Sequence, residues 1–136
     1  MRKKSPATLK KELWKLFSEC TRRSAANFQG YASCYICGRT YKWQEMDASH
    51  YREKSICGLE LFFHLKNVKT CCVRCNRYLH GNLAEYALKL QREYGPQILE
   101  ELEAIRMETK NVAWDEAEYI KRIEEIKVKL NELNNK

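Results

Sequence analysis

Residues 71–82 read CCVRCNRYLHGN. Cys72-x-x-Cys75 is half of a metal site, and the other half lies upstream at Cys34-x-x-Cys37. A two-residue gap lets both thiolates of a pair turn toward one ion, and four thiolates complete the tetrahedron that zinc prefers. Gly38 follows the first pair, where a knuckle needs a tight turn. The second pair opens a stretch with helical patterning. The two-residue spacing selects Cys72 over Cys71 as the third ligand and leaves Cys71 for the core. A structural zinc held by Cys34, Cys37, Cys72 and Cys75 is therefore expected. Asn76 follows the last ligand at once, and a zinc knuckle has no use for it there.

The chain has 136 residues, enough for one compact domain with an appended element. Its core is modest at this size, so an internal staple helps. Residues 1–95 hold 18 basic and 8 acidic side chains, whereas residues 96–136 hold 7 and 10. A basic body points to a polyanionic partner, most simply nucleic acid. No stretch reaches the apolar length of a membrane span, and MRKKSPATLKKE lacks the apolar run of a signal peptide. No membrane partner is expected. The setting expected is reducing and cytoplasmic, where seven cysteines act as ligands and core residues rather than disulfides. Cys20 and Cys57 receive no role.

Working outward, Ser5-Pro6 starts a helix, with Ser at the N-cap and Pro in the first turn. Leu9, Leu13, Trp14, Phe17 and Cys20 carry its apolar stripe to about Arg23. Lys10, Lys11, Lys15, Arg22 and Arg23 lie mostly off that stripe and offer a face to a DNA backbone. Residues 34–70 read as short antiparallel strands with a long connection. Leu83, Tyr86, Ala87, Leu90 and Tyr94 share a helix face that Gly95-Pro96 ends. Leu99, Leu102 and Ile105 align on the next helix. Asp115 caps a last helix carrying Tyr119, Ile123, Ile126, Leu130 and Leu133, a short heptad seam. The seam fits a homodimer or packing within the chain. The division expected is a basic helix over 1–28, a zinc-bound core over 29–95, and helices over 96–136 with a dimerisation role open to them.

Between the cysteine pairs lies MDASHYREKS, residues 46–55, with Asp47, Ser49 and His50. Asn67 precedes Cys72 by five positions, and Asn76 follows Cys75. His50, Asn67 and Asn76 threaded through two Cys-x-x-Cys pairs resemble the HNH (ββα-metal) nucleases. Trp43 to Arg52 (W-x-x-x-DASHYR), Asn67 to Asn76, GNLAEY (Gly81 to Tyr86) and YGPQILEELE resemble the NinG/Rap recombination family of lambdoid phages. The Cys-Asn step is also similar to the endonuclease VII class of phage junction-resolving enzymes.

The resemblance implies an α+β fold: a small zinc-stabilised treble-clef/ββα-metal core with flanking N- and C-terminal helices. It implies a structure-specific endonuclease, acting on branched or displaced-strand DNA such as D-loops and Holliday junctions, in the host cytoplasm. His50 suits the general base, because neutral imidazole accepts a proton near pH 7. Asn76, with Asp47, is the expected ligand set for a catalytic Mg²⁺ or Mn²⁺, and Asp47 could instead orient His50. Asn67 is expected to tie down the inter-strand loop. Arg52, Lys54, Arg74 and Arg77 are the candidate phosphate contacts. His64 and His80 receive only minor candidacies. The chain departs from its relatives at Ser49, where HNH enzymes often carry an acid and NinG-like sequences a glycine. The rival reading is a non-catalytic zinc module that binds nucleic acid.

Overall fold

The computed structural model describes residues 3–135. Helix α1 (Pro6–Ala25) starts where expected, with Ser5 Oγ accepting a hydrogen bond from the Thr8 amide at 3.2 Å. Leu9, Leu13, Phe17 and Cys20 are its buried stripe. The chain then forms a hairpin of β1 (Tyr31–Ser33) and β2 (Thr40–Lys42), with the first cysteine pair between the strands. A 3-10 turn over Trp43–Glu45 leads into β3 (Asp47–His50). That strand pairs antiparallel with β4 (Val68–Cys71), in a register that sets Asp47 opposite Cys71 and His50 opposite Val68. Because Cys72 follows β4 directly, this register brings Asp47 to the second cysteine knuckle.

The long connection between β3 and β4 carries α2 (Gly58–Phe62). Gly58 has φ +69°, and a Cβ there would lie 2.7 Å from the Lys110 Cα, so only glycine lets this turn pack. After β4 the chain makes a π-helical turn over Arg74–Tyr78, then α3 (Leu83–Tyr94), α4 (Ile98–Thr109) and α5 (Glu116–Asn134). His80, Gly81 and Asn82 all have positive φ, at 52°, 91° and 47°. Three successive left-handed residues swing the chain from the π turn into α3. They occupy the HGN end of the opening stretch, residue types that tolerate such backbone.

The observed class is mixed α+β, with a four-cysteine cluster flanked by N- and C-terminal helices. Asp115 caps α5 as expected, accepting from the Glu118 amide at 2.8 Å. Tyr119, Ile123, Ile126 and Leu130 are buried, and α5 packs lengthwise against α1. Of the two outcomes open to the heptad seam, packing within the chain is the one observed. An apolar stripe two heptads long can be buried once, and α1 of the same chain buries it. Helix α1 also lies against β3 and β4, so the N-terminal helix packs into the same core. Within α3, Leu83 is exposed, and Tyr86 and Leu90 do the packing.

Candidate functional site

The sulfurs of Cys34, Cys37, Cys72 and Cys75 lie within 4.8 Å of one another. The Cys37 amide points at Cys34 Sγ (3.5 Å) and the Cys75 amide at Cys72 Sγ (3.4 Å), the hydrogen bonds that a two-residue knuckle makes. The Cys71 thiol, followed by backbone amides of the two knuckles, holds the Cys34 thiol far down, to about 3. Burial pushes Cys75 up to about 12, and its neighbours Cys72 and Cys34 add to that. Four sulfurs this close share their negative charge comfortably only around a cation. The cluster is consistent with a structural zinc. Cys71 is fully buried and lies outside the four-sulfur cluster.

The second knuckle places Asn76 beside β3. Asn76 Nδ2 donates to Asp47 Oδ2 at 2.9 Å, and Asn76 Oδ1 accepts from Ser49 Oγ at 2.7 Å. An ionised carboxylate only accepts, so Asp47 fixes which end of the amide faces Ser49. Asp47 is also gripped by Arg77, with Nε–Oδ2 at 2.9 Å and Nη2–Oδ1 at 2.8 Å. Burial alone would raise the Asp47 carboxyl, but hydrogen bonds from Arg77 and Asn76 hold it below its ordinary value.

His50 is 8% exposed. Its Nε2 lies 2.9 Å from the Phe62 carbonyl. A carbonyl cannot donate, so Nε2 carries the proton and Nδ1 carries the lone pair. Nδ1 is buried without a hydrogen-bond partner among the described residues. The Trp14 ring stacks on the imidazole with centroids 4.9 Å apart, and Phe62 covers it at 4.4 Å. Burial lowers the His50 pKa to about 4, with Lys54 and Lys10 adding to the effect and the Phe62 carbonyl opposing it. His50 is therefore neutral at pH 7. It shares a cleft of about 500 Å³ with Asn76, Lys54 and His80.

The remaining candidate residues are placed as follows. Asp47 does not orient His50, because residues 47 and 50 point to opposite faces of a strand; it orients Asn76 instead. As placed, its Oδ2 accepts from both Asn76 and Arg77, and its Oδ1 accepts from Arg77 alone. Arg77 is occupied by Asp47, and Arg52 turns to α4, where its guanidinium meets Glu103 at 2.8 Å. Lys54 and Arg74 are exposed, and Lys54 lines the His50 cleft. Asn67 is fully buried: Oδ1 accepts from the Arg52 amide (2.8 Å), Nδ2 donates to the Leu61 carbonyl (3.0 Å), and it lines no part of the cleft. His64 sits in the loop before β4, accepting from the Lys66 amide through Nδ1.

Three participants were not singled out beforehand as site residues. Trp14 stacks on His50, although its sequence position marks only an apolar helix face. Ser49, noted only as a departure, anchors Asn76. Tyr86, fully buried, donates through its hydroxyl to the Ser49 carbonyl at 2.8 Å and pins β3 from behind. Its place in GNLAEY was the available signal.

Fold and site together define a small mixed α+β protein in which a four-cysteine cluster buttresses a histidine–asparagine cleft. The profile of the family described as Bacteriophage Lambda NinG protein matches residues 1–136, and the chain belongs to that family. It is similar to Protein ninG of Escherichia phage lambda, 34% identical over 71 residues, which are 52% of this chain and 34% of that protein. Against Protein ninG of Salmonella phage P22 it is 30% identical over 98 residues, 69% of this chain and 47% of the relative. The chain thus spans about a third to a half of the curated relatives it matches. No solved structure matches it. Among the described residues, no helix is long and apolar enough to cross a membrane.

Proposed function

We propose that this chain is a structure-specific DNA endonuclease of the HNH type, with β3, β4 and the following helical turn as its ββα-metal unit. Its substrates are branched or displaced-strand DNA, such as D-loops and four-way junctions, and its reaction is phosphodiester hydrolysis. The observation that carries this reading is the fixed tautomer of His50. Its Nε2–H is spent on the Phe62 carbonyl, its Nδ1 lone pair has no partner among the described residues, and His50 lines the same cleft as Asn76.

In this mechanism Nδ1 takes a proton from the attacking water. The Phe62 carbonyl then stabilises the imidazolium through the Nε2–H bond. Asn76 Oδ1 keeps a second lone pair beyond Ser49, which suits a hard divalent ion such as Mg²⁺ or Mn²⁺. Such an ion polarises the phosphate and stabilises the leaving oxygen. Asp47 could join Asn76 only after Arg77 lets go of it. Lys54 and Arg74 contact phosphates and position the strand without reading bases. Cutting both strands of a symmetric junction would take two copies about a two-fold axis, docked through a face other than the α5 seam.

The test is cleavage of a labelled four-way junction with Mg²⁺ or Mn²⁺ by wild type, His50→Ala and His50→Gln. A loss of about 10²- to 10⁴-fold with zinc content and DNA binding retained is expected. Binding without metal-dependent cutting by the wild type would overturn the enzyme reading in favour of the non-catalytic zinc module.

A further inference from the structure

Phe28 is 97% exposed, the most exposed large apolar side chain among the described residues. It sits in the turn between α1 and β1, which is pinned rather than loose. Asn27 Oδ1 accepts from the amides of Gln29 (3.0 Å) and Tyr31 (3.1 Å). The Asn27 amide donates to the Tyr31 carbonyl at 2.8 Å, the Gly30 amide to Asn27 O at 3.0 Å, and the Trp43 amide to Gly30 O at 3.0 Å. A loose loop would fold a phenyl ring back onto the protein to escape water. Here the hydrogen-bonded frame holds the ring out.

Its surroundings are aromatic and basic. Tyr31 is exposed and lies opposite Lys42 in the β1–β2 register. The Trp43 ring carries the guanidinium of Arg22 at 5.3 Å and that of Arg23 at 5.9 Å. Arg22 makes no ion pair among the described residues, and it lines a polar cleft with Asp47, Asn76, Arg77 and Lys54. Arg22 thus joins the Asp47–Asn76 cleft to the Trp43 ring, and the Trp43 amide is bonded to the Phe28-bearing turn at Gly30.

We propose that Phe28 is a wedge for branched DNA, and this rests on the nuclease reading above. The ring stacks into one opened base step at the branch, while Arg22 and Lys42 meet the flanking phosphates. Apolar side chains inserted between base steps are a general means of holding distorted DNA, and base–aromatic stacking is indifferent to sequence. A single projecting ring suits one opened step, whereas a row of rings would suit a continuous single strand. Such a wedge would select branched over linear DNA without reading bases.

The test measures equilibrium binding of the full chain, without divalent ions and at fixed salt, to a four-way junction and to linear duplex. Wild type, Phe28→Ala and Phe28→Trp are compared, with 2-aminopurine at the branch to report unstacking. The wild type should prefer the junction and brighten the 2-aminopurine. Phe28→Ala should lose about tenfold in junction affinity, keep its duplex affinity within about twofold, and leave the probe dark. Phe28→Trp should restore both signals. Unchanged junction preference in Phe28→Ala overturns the wedge, and so does equal wild-type affinity for junction and duplex. Cleavage is not read, so a protein that holds junctions through Phe28 but never cuts them refutes the nuclease reading alone.

Discussion

The cysteine cluster and the His50 cleft share a few residues of backbone, yet they are finished to different degrees. In the cluster, every sulfur has other sulfurs as neighbours, and amides of its own knuckles close two of them. In the cleft, one imidazole nitrogen is unmatched, one amide oxygen has capacity to spare, and one carboxylate is held by an arginine that is itself exposed. A group that is fully satisfied can only hold shape. A group left short keeps hydrogen-bonding capacity that a ligand could use once it is reached, at a cost in stability that the finished neighbour offsets. The two are coupled through Cys75-Asn76, where a ligand and a cleft residue are consecutive.

The sharpest way to break this contrast is to strip the cluster. Zinc bound by such a site supplies on the order of 10–16 kcal/mol of apparent binding energy, comparable to the whole stability of a small domain. Chelation, or Cys75→Ser, should abolish the cooperative melt and the near-ultraviolet dichroism together. One equivalent of zinc per chain should appear by elemental analysis of the untreated protein. A cooperative melt unchanged after complete chelation would show that the cluster is not the finished half.

The next effect belongs to the unfinished half. His50 has its pKa lowered from 6.5 to about 4 by burial, so the unfolded chain takes up the proton first as pH falls. Its contribution is fully present above about pH 6.5 and is lost progressively as pH drops through 6.5 toward 4, amounting to about 3 kcal/mol. Urea titrations across this window should show stability declining, with a shallower decline in His50→Gln. His64, also lowered by burial, leaves a residual slope in the same direction. Equal slopes in both proteins would mean that His50 is as solvated as an ordinary histidine.

Tyr86 sharpens the comparison from behind the strand. Tyr86→Phe removes the donor to the Ser49 carbonyl and nothing else of size. The expected cost is about 1–2 kcal/mol, read as a shifted urea midpoint at unchanged slope, with zinc retained. Zinc loss in this variant would show that the cleft supports the cluster as much as the reverse.

How much of this was readable beforehand follows from the range of each interaction. The cysteine pairs are short-range geometry, and so are the caps at Ser5 and Asp115, which the structure keeps. Strand parity was equally readable: residues 47 and 49 share a face and 50 does not, which already separated Asp47 from His50. The stacking of Trp14 on His50 and the pairing of Arg52 with Glu103 join segments far apart in the chain, and periodicity does not report partners. The α5 seam shows the same limit, since a stripe announces that it will be buried but not against what. The Phe62 carbonyl that sets the His50 tautomer is backbone, and no residue type advertises it.

The smallest effect on stability, and the finest probe of the cleft, is Arg77→Ala. The Arg77 side chain is largely exposed, so its ion pair with Asp47 adds little to folding. Its consequence is local. The arginine, with Asn76 and Arg22, is one of three groups holding the Asp47 carboxyl below its ordinary value, and with it gone the Asp47 pKa should rise, as carboxyl-detected NMR titration would show. The same change frees Asp47 Oδ1 while Asn76 still holds Oδ2. If Asp47 and Asn76 are joint ligands and Arg77 competes with the ion for Asp47, Mn²⁺ should bind Arg77→Ala more tightly than wild type, measured by loss of the free-ion electron paramagnetic resonance signal. DNA phosphates that draw Arg77 away should tighten Mn²⁺ binding to the wild type in the same way. Equal Mn²⁺ affinity in both proteins, with and without DNA, would confine Asp47 to orienting Asn76 and leave that amide as the cleft's one protein ligand.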